Sequence, residues 1–218
     1  MFPAGAAVQH TLEYQLRFTD FFSVLSSEDY FMATDISTRE TLDDLYCVEG
    51  RAELIAGRIV HQMPTGDLPS SAALEIAVSL RAYAKVRKRG KAYGDGVGYA
   101  VPELASGRES FSPDASLYDG PPPPNPMRFI EGAPKFAAEV RSENDYGARA
   151  EIEMVAKRAD YFAAGTEVVW DVDPEAKTVA KYTAAAPAQP TIFHAGEIAD
   201  AEPAVPGWRM AVDDLFAG

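Results

Sequence analysis

A strand, a helix and a second strand follow one another between residues 135 and 172. Residues 135–140 form a short, mostly apolar run that predicts a core strand. Residues 148–164 carry apolar side chains at helical spacing and are closed by Gly165, which predicts a helix. Residues 167–172 are almost continuously apolar, as expected of a strand buried on both faces, so we predict that Trp170 packs in the core. The predicted apolar stripe of the helix is Ile152, Val155, Ala159 and Phe162.

The remaining segments add shorter elements to this unit. They predict one α/β (α+β) domain, residues 36–218, in which helices pack on a mixed sheet. We interpret residues 1–35 as an N-terminal extension, because Met32 and the residues after it resemble a natural start. The predicted elements are a short helix (38–46), a hairpin around Gly57 (53–60), a loop (64–69), a helix from Ser70 or Ser71 to about Arg89, a bent strand (92–101), a polar loop (102–112), and strands at 114–118, 177–183 and 191–194.

The cysteine and histidine content argues against two ways of stabilising a small fold, disulfide bonds and structural zinc. Cys47 is the single cysteine, so no internal disulfide can form. The three histidines are far apart in the sequence, which argues against structural zinc. This pattern, the lack of a long apolar run and the lack of a signal peptide favour a cytoplasmic protein that contacts no membrane. No P-loop, GxGxxG motif or nucleophile elbow is present, which argues against nucleotide-dependent and acyl-transfer enzymes.

The chain is strongly acidic, with a formal net charge of −13 and a pI near 4.6. An acidic surface repels phosphate backbones at long range, which counts against tight nucleic-acid binding. One stretch differs from the rest, because residues 81–91 contain six basic residues and no acid. It is either a phosphate-contacting surface or a solvated helix end whose cations interact favourably with the helix dipole.

Two acids and a lysine fall where the predicted elements give them a chemical role. Asp114 opens a strand directly after Pro113, and Glu139 lies inside an otherwise apolar core strand. A carboxylate is costly to bury unless it is paired or holds a metal, and two strand carboxylates suit Mg²⁺ or Mn²⁺. Lys157, on the next helix, could position the attacking water or offset charge at a reacting phosphate. The alternative is a buried ion pair of Glu139 with Lys157 or Arg141.

Five short motifs follow one another along the chain. They are Arg51-Ala-Glu-Leu-Ile-Ala-Gly-Arg-Ile-Val60, Ser-Pro-Asp114, Ala-Glu139-Val-Arg-Ser142, Lys157-x-x-x-Tyr161-x-x-x-Gly165 and Val-Trp170-Asp-Val-Asp-Pro174. In this order they resemble the Uma2 family of restriction endonucleases, which belong to the PD-(D/E)XK nuclease superfamily. The resemblance covers roughly residues 36–183.

The resemblance implies a restriction-endonuclease-like fold, a twisted mixed sheet flanked by helices, with a Mg²⁺- or Mn²⁺-dependent site. Asp114 and Glu139 would be the metal ligands, and Glu53 an acid that could join them or remain on the surface. Arg141 stands where the family motif usually has its lysine, and Lys157 matches the lysine of the following helix. The implied substrate is DNA and the implied assembly is a homodimer, by analogy with nucleases that cut two strands.

This sequence also departs from the family pattern. No histidine lies near Ser70, and Glu143-Asn-Asp145 replaces the usual Pro-Ser-Asp. These changes spare the expected ligands but put specific DNA recognition in doubt. We therefore retain two alternatives: a binding or scaffold protein that kept the fold without efficient cleavage, and hydrolysis of RNA or another phosphate ester.

Overall fold

The computed structural model describes residues 38–217, and the predicted extension, residues 1–35, lies outside them. No helix in this part of the chain is long and apolar enough to cross a membrane. The elements in chain order are α1 (Leu42–Leu45), β1 (Ala52–Ile55), β2 (Arg58–His61), α2 (Asp67–Arg87), β3 (Lys91–Gly94), β4 (Tyr99–Ala100), β5 (Ser110–Phe111), β6 (Ala115–Tyr118), β7 (Ile130–Glu131), β8 (Phe136–Val140), α3 (Ala148–Ala163), β9 (Val168–Asp173), β10 (Thr178–Thr183), β11 (Ala186–His194), β12 (Ile198–Asp200), β13 (Arg209–Ala211) and a 3₁₀ turn (Val212–Leu215).

A six-stranded mixed sheet in the order β11-β10-β9-β8-β6-β3 forms the centre of the fold. Strands β8 and β9 are parallel and joined through α3, and the other neighbouring pairs are antiparallel. The predicted mixed sheet flanked by helices is therefore confirmed. The sequences of the central strands are mostly apolar, because helices cover both faces of these strands.

The two faces of the sheet have different partners because side chains alternate along each strand. From β8, Phe136, Ala138 and Val140 pack in a core that includes the buried side of α2. Ala137 points the other way and packs with Tyr161 of α3. Trp170 is fully buried, as predicted, in edge-to-face contact with Phe136. Glu139 alternates with Ala138 and so lies on the α3 side.

The face of α3 that packs on the sheet differs from the predicted stripe, of which only Phe162 lies against the core. Ile152 and Val155, from the predicted apolar stripe, are 70% and 55% exposed. Arg158 and Tyr161 are the buried residues instead. The physical reason is that the facing strands carry carboxylates, at Glu139 and at Asp171 of β9, which require cations and hydroxyl groups opposite them.

Several predicted boundaries differ from the structure. Helix α2 begins at Asp67 and includes Pro69, which a first helical turn accepts because its amides have no intrahelical acceptor. It ends at Arg87, after which Lys88 adopts a left-handed conformation with φ 53°. The predicted bent strand 92–101 is two strands, β3 and β4, in different sheets. Thr41 caps α1, so this helix begins at Leu42 and not at the predicted residue 38.

The β1–β2 hairpin, confirmed as antiparallel, docks on the loop before β5. Ala56 in its turn donates a backbone hydrogen bond to Gly107 O at 2.7 Å, and Glu109 N donates to Leu54 O at 2.9 Å. A Cβ on Gly107, whose φ is +83°, would lie 2.9 Å from Ala56 Cα. This contact holds β1 against the body of the protein and so fixes the position of Glu53.

We expect Gly107→Ala to lower the free energy of unfolding more than Gly50→Ala does. Both residues have positive φ, +83° and +86°, but a Cβ on Gly50 meets no atom within 4 Å. The control should therefore lose about 1–2 kcal/mol from backbone strain alone. Gly107→Ala should lose at least about 1 kcal/mol more through the clash with Ala56. Urea denaturation measures both, and equal losses would contradict this account of the docking.

Candidate active site

Asp114 and Glu139 meet at the same end of two neighbouring strands. Asp114 directly precedes β6, and its backbone amide donates to Ala138 O on β8 at 3.1 Å. Its Oδ2 accepts a hydrogen bond from the amide of Val140, the residue after Glu139, at 2.7 Å. The antiparallel pairing of β6 with β8 therefore brings the two predicted metal ligands together.

The Glu139 carboxylate is bound by two side chains of α3. Lys157 Nζ lies 2.9 Å from Oε2, and the Tyr161 hydroxyl donates to Oε1 at 2.6 Å. Residues four apart share a helix face, so one turn of α3 supplies both contacts. The ring of Tyr161 stacks on Phe111 with centroids 4.2 Å apart, which fixes the hydroxyl in place.

Glu53 is part of the same cluster and is only 3% exposed, so it is not a surface acid. Its Oε1 lies 3.2 Å from Lys157 Nζ and accepts the Ser112 amide at 2.9 Å. Its Oε2 pairs with Arg108, whose Nε donates to Asp160 of α3 at 2.9 Å. The structure thus joins all four predicted site residues, Lys157 bridging Glu53 and Glu139.

Burial and charge separate the pKa values of these groups. Burial raises the pKa of Glu139 to about 7, with the charges of Asp114 and Glu53 adding to the effect and Lys157 opposing it. Burial also acts to raise the pKa of Glu53, but Lys157 and Arg108 outweigh it and hold that pKa at about 2. Burial would lower the pKa of Lys157, yet the two carboxylates raise it. Lys157 is therefore an ammonium, not a neutral amine.

Arg51 is the cation nearest to Asp114. Its Nη1 donates to Asp114 Oδ1 at 2.9 Å and lies 2.6 Å from Asp95 Oδ1. Its Nε donates to Ser112 Oγ at 2.9 Å. One oxygen of Asp114 is thus held by Arg51 and the other by the Val140 amide, so a metal ion bound through Oδ1 would compete with Arg51 for that oxygen.

Arg141, at the position of the usual motif lysine, is directed away from Glu139. Its guanidinium makes a bidentate contact with Asp171 at 2.8 and 2.9 Å and also pairs with Glu151. Asp171 accepts a third hydrogen bond, from Arg158 of α3, at 2.9 Å. These contacts fasten α3 to β8 and β9, and they leave Lys157 as the cation beside Glu139.

The residues present fit a magnesium or manganese ion held by few protein ligands. Within residues 38–217, no group of three or more His, Cys, Asp or Glu is placed to hold a metal ion. Mg²⁺ commonly uses one or two carboxylates and retains several waters. Asp114 and Glu139 supply two. Burial first, and then the charges of Asp114 and Glu53, raise the pKa of Glu139, and a bound cation would favour its ionised form.

A cleft gives access to this cluster. It has a volume of about 610 Å³ and is lined by Glu139, Lys157, Tyr161 and Arg108, among other residues. The basic stretch predicted from residues 81–91 does not lie beside it. Register places Lys91 opposite Tyr118, at the end of β6 remote from Asp114.

Three residues of the cluster were not predicted. Tyr161 could have been found, since it lies four residues after Lys157 and so shares its helix face. Arg51 opens the first family motif, but the sequence gives no sign that it reaches Asp114. Arg108 lies in a segment predicted as a polar loop, where no periodicity indicates a buried side chain.

Comparisons with known proteins identify the family and the fold of the chain. The sequence profile of the Uma2 family, described as "Putative restriction endonuclease", matches residues 40–213. A solved structure from Anabaena variabilis ATCC 29413, described as "a putative nuclease belonging to DUF820", matches with a TM-score of 0.64 at 20% identity, over 81% of this chain and 97% of that one. This likeness confirms the predicted nuclease-type fold. No curated protein matches the chain significantly in sequence.

We expect Arg108→Met to destabilise the protein by about 3–5 kcal/mol, because it leaves the half-buried Asp160 without its cation and the buried Glu53 with Lys157 as its remaining ion-pair partner. The control is Arg149→Met, which removes an exposed pair with Glu153 and should change the stability by less than about 0.5 kcal/mol. Urea denaturation at neutral pH measures both. Equal losses would mean that the buried cluster contributes no more than a surface ion pair.

We expect stability measured in EDTA to depend on Glu139 between pH 4.5 and about 7. The raised pKa means that the folded protein holds a proton that the unfolded chain has released, so stability falls as pH rises through this window. Between pH 4.5 and about 7, the free energy of unfolding of Glu139→Gln should fall by about 3 kcal/mol less than that of the wild-type protein. Glu175→Gln, an exposed control, should retain the wild-type slope. An unchanged slope in Glu139→Gln would contradict the assignment.

Proposed function

We propose, since the chain belongs to the Uma2 family, that it is a metal-dependent endonuclease that hydrolyses phosphodiester bonds, with DNA as its substrate. The observation that carries the proposal is the cluster beside the cleft, where the carboxylates of Asp114 and Glu139 and the buried ammonium of Lys157 converge. A simple structural ion pair would give Lys157 one acidic partner. Here Lys157 contacts both Glu53 and Glu139, and the charges of Asp114 and Glu53 both act on Glu139.

Asp114 and Glu139 would hold Mg²⁺ or Mn²⁺, which supplies Lewis-acid stabilisation of the charge on the reacting phosphate. Lys157 keeps its proton, so it acts as a cation that orients the attacking water and offsets negative charge, not as a general base. Tyr161 holds the Glu139 carboxylate in one orientation through Oε1. Glu53 fixes Lys157 from the opposite side, so we assign it a positioning role.

The second candidate is a binding or scaffold protein that retains the fold without efficient cleavage. Two observations favour it: the net charge of −13 and the contact of Arg51 with the predicted metal ligand Asp114. A scaffold would have no need to bind a divalent cation at this site. The expected homodimer and the cytoplasmic location stay predictions.

We expect the wild-type protein to nick supercoiled plasmid or cut single-stranded DNA with Mg²⁺ or Mn²⁺ and to be inactive in EDTA. Asp114→Asn and Lys157→Met should each lower the rate by at least about 100-fold, as loss of a single transition-state contact typically does. The controls Asp43→Asn and Lys177→Met change exposed residues of the same types and should retain activity.

The pattern across the five proteins decides between the candidates. Equal cleavage by all five would contradict the assigned site and point to a contaminating nuclease. Cleavage of RNA alone would retain the site and replace the substrate. Absence of cleavage from every protein, with no rise in melting temperature on adding Mn²⁺, would favour the scaffold.

A further inference from the structure

Six basic side chains cluster at the C-terminal end of α2, in a chain whose overall charge is −13. All are exposed, and we call them the α2 basic surface. Arg81, Lys85 and Lys88 are spaced four and three residues apart, so they follow one side of α2 into its C-cap. The surface consists of Arg81, Lys85, Arg87, Lys88, Arg89 and Lys91.

The cations of this surface are unusual because most are not neutralised. Within the part of the chain that the structure describes, only Arg89 of the six forms an ion pair, with Asp119 at 2.7 Å. Elsewhere among these residues, almost every Lys and Arg is paired with a carboxylate. The exceptions are Arg58, Lys177 and Arg209.

Stabilisation of the helix terminus does not account for the whole surface. The helix dipole acts within about the last turn, which covers Lys85 and Arg87. Arg81 lies more than a turn before the end of α2, and Arg89 and Lys91 lie beyond it. Clustered like charges repel one another, so this arrangement costs free energy that an anionic ligand would offset.

A groove beside the surface has the dimensions to take part of a ligand. It has a volume of about 560 Å³, and Arg87, Arg89 and Lys135 line it together with one acid, Asp119. Tyr83 lies against its wall and donates a hydrogen bond to Pro206 O at 2.7 Å. Arg89 and Lys135 are paired with Asp119 and Glu167, so within residues 38–217 Arg87 is the lining cation that remains without an ion pair.

The α2 basic surface is separate from the candidate active site. Lys91 pairs with Tyr118 and Gly94 with Ala115, so the two ends of β6 are three residues apart. Tyr118 lies four residues after Asp114, so at about 3.3 Å per residue the surface begins roughly 13 Å along the strand from Asp114. Its cations therefore do not contact the reacting phosphate.

We infer that the α2 basic surface binds the phosphate backbone of nucleic acid away from the bond being cut, and so tethers the substrate to an otherwise acidic protein. This inference rests on the proposed nucleic-acid substrate. A phosphate backbone fits the surface because it offers repeated negative charges to a row of unpaired cations. Tethering acts on substrate binding and not on the chemical step, so it is visible in KM rather than kcat.

The test compares two triple variants with the same change in net charge. The first is Arg81→Gln/Lys85→Gln/Lys88→Gln, and the control is Arg58→Gln/Lys177→Gln/Arg209→Gln, which removes the unpaired cations elsewhere. Both are made in the Asp114→Asn protein and titrated in EDTA with a fluorescein-labelled DNA duplex, followed by anisotropy over a range of salt concentrations. Because cleavage is blocked, the readout is independent of activity.

We expect the α2 triple variant to bind the duplex at least about tenfold more weakly at low salt. The dependence of log K on log salt should become less steep by about 2–3, because each phosphate contact contributes about 0.9. The control should remain within about twofold in affinity and keep its slope. With Asp114 restored, the α2 triple variant should show a raised KM and an unchanged kcat.

Equal weakening in both triple variants would overturn the inference, since net charge alone would explain it. So would unchanged binding in the α2 triple variant, or no binding by the parent protein. If the duplex binds through the α2 basic surface but the wild-type protein never cleaves DNA, the inference stands and the proposed nuclease activity fails. If the α2 triple variant cleaves DNA with the wild-type KM, the proposed nuclease activity stands and the inference about the α2 basic surface fails.

Discussion

The ammonium of Lys157 lies between the carboxylates of Glu53 and Glu139, and the arrangement of the rest of the site follows from balancing these charges. An isolated charge in a protein interior is strongly disfavoured, so each carboxylate needs its cation in place before the fold is stable. That requirement ties the β1–β2 hairpin, strand β8 and helix α3 to one point. The candidate active site is thus also a structural centre, and the same side chains would serve both roles.

The same balance explains why α3 packs with a polar face inward. Asp171 binds Arg141 and Arg158 and so joins α3 to two central strands, while Tyr161 contributes both its ring to the core and its hydroxyl to Glu139. Burying ion pairs in this way adds little net stability over an apolar interface. What it provides is specificity of position, because the contacts are satisfied in only one register of the helix, the register that directs Lys157 at Glu139.

The central sheet could be predicted from the sequence because its strands are short apolar runs with distinct ends. Asp114, Glu139, Lys157 and Glu53 could be chosen because strand carboxylates and a lysine on the next helix are conspicuous, and the resemblance to a family placed them in order. The packed face of α3 could not be predicted, since Ile152 and Val155 have the periodicity of a core and yet are exposed. The roles of Arg51 and Arg108 could not be predicted either, because they reach the site from a hairpin and a loop through contacts between residues distant in sequence.

Anomalous diffraction from a crystal grown with Mn²⁺ tests most directly whether the acidic pair forms a metal centre. We expect one strong anomalous peak bonded to both Asp114 and Glu139, with Arg51 withdrawn from Asp114 Oδ1 and Lys157 still paired with Glu53. A crystal of Asp114→Asn grown under the same conditions should lack the peak. No peak in the wild-type protein, with Arg51 remaining on Asp114, would contradict the metal-dependent site and identify the cluster as a structural ion-pair network.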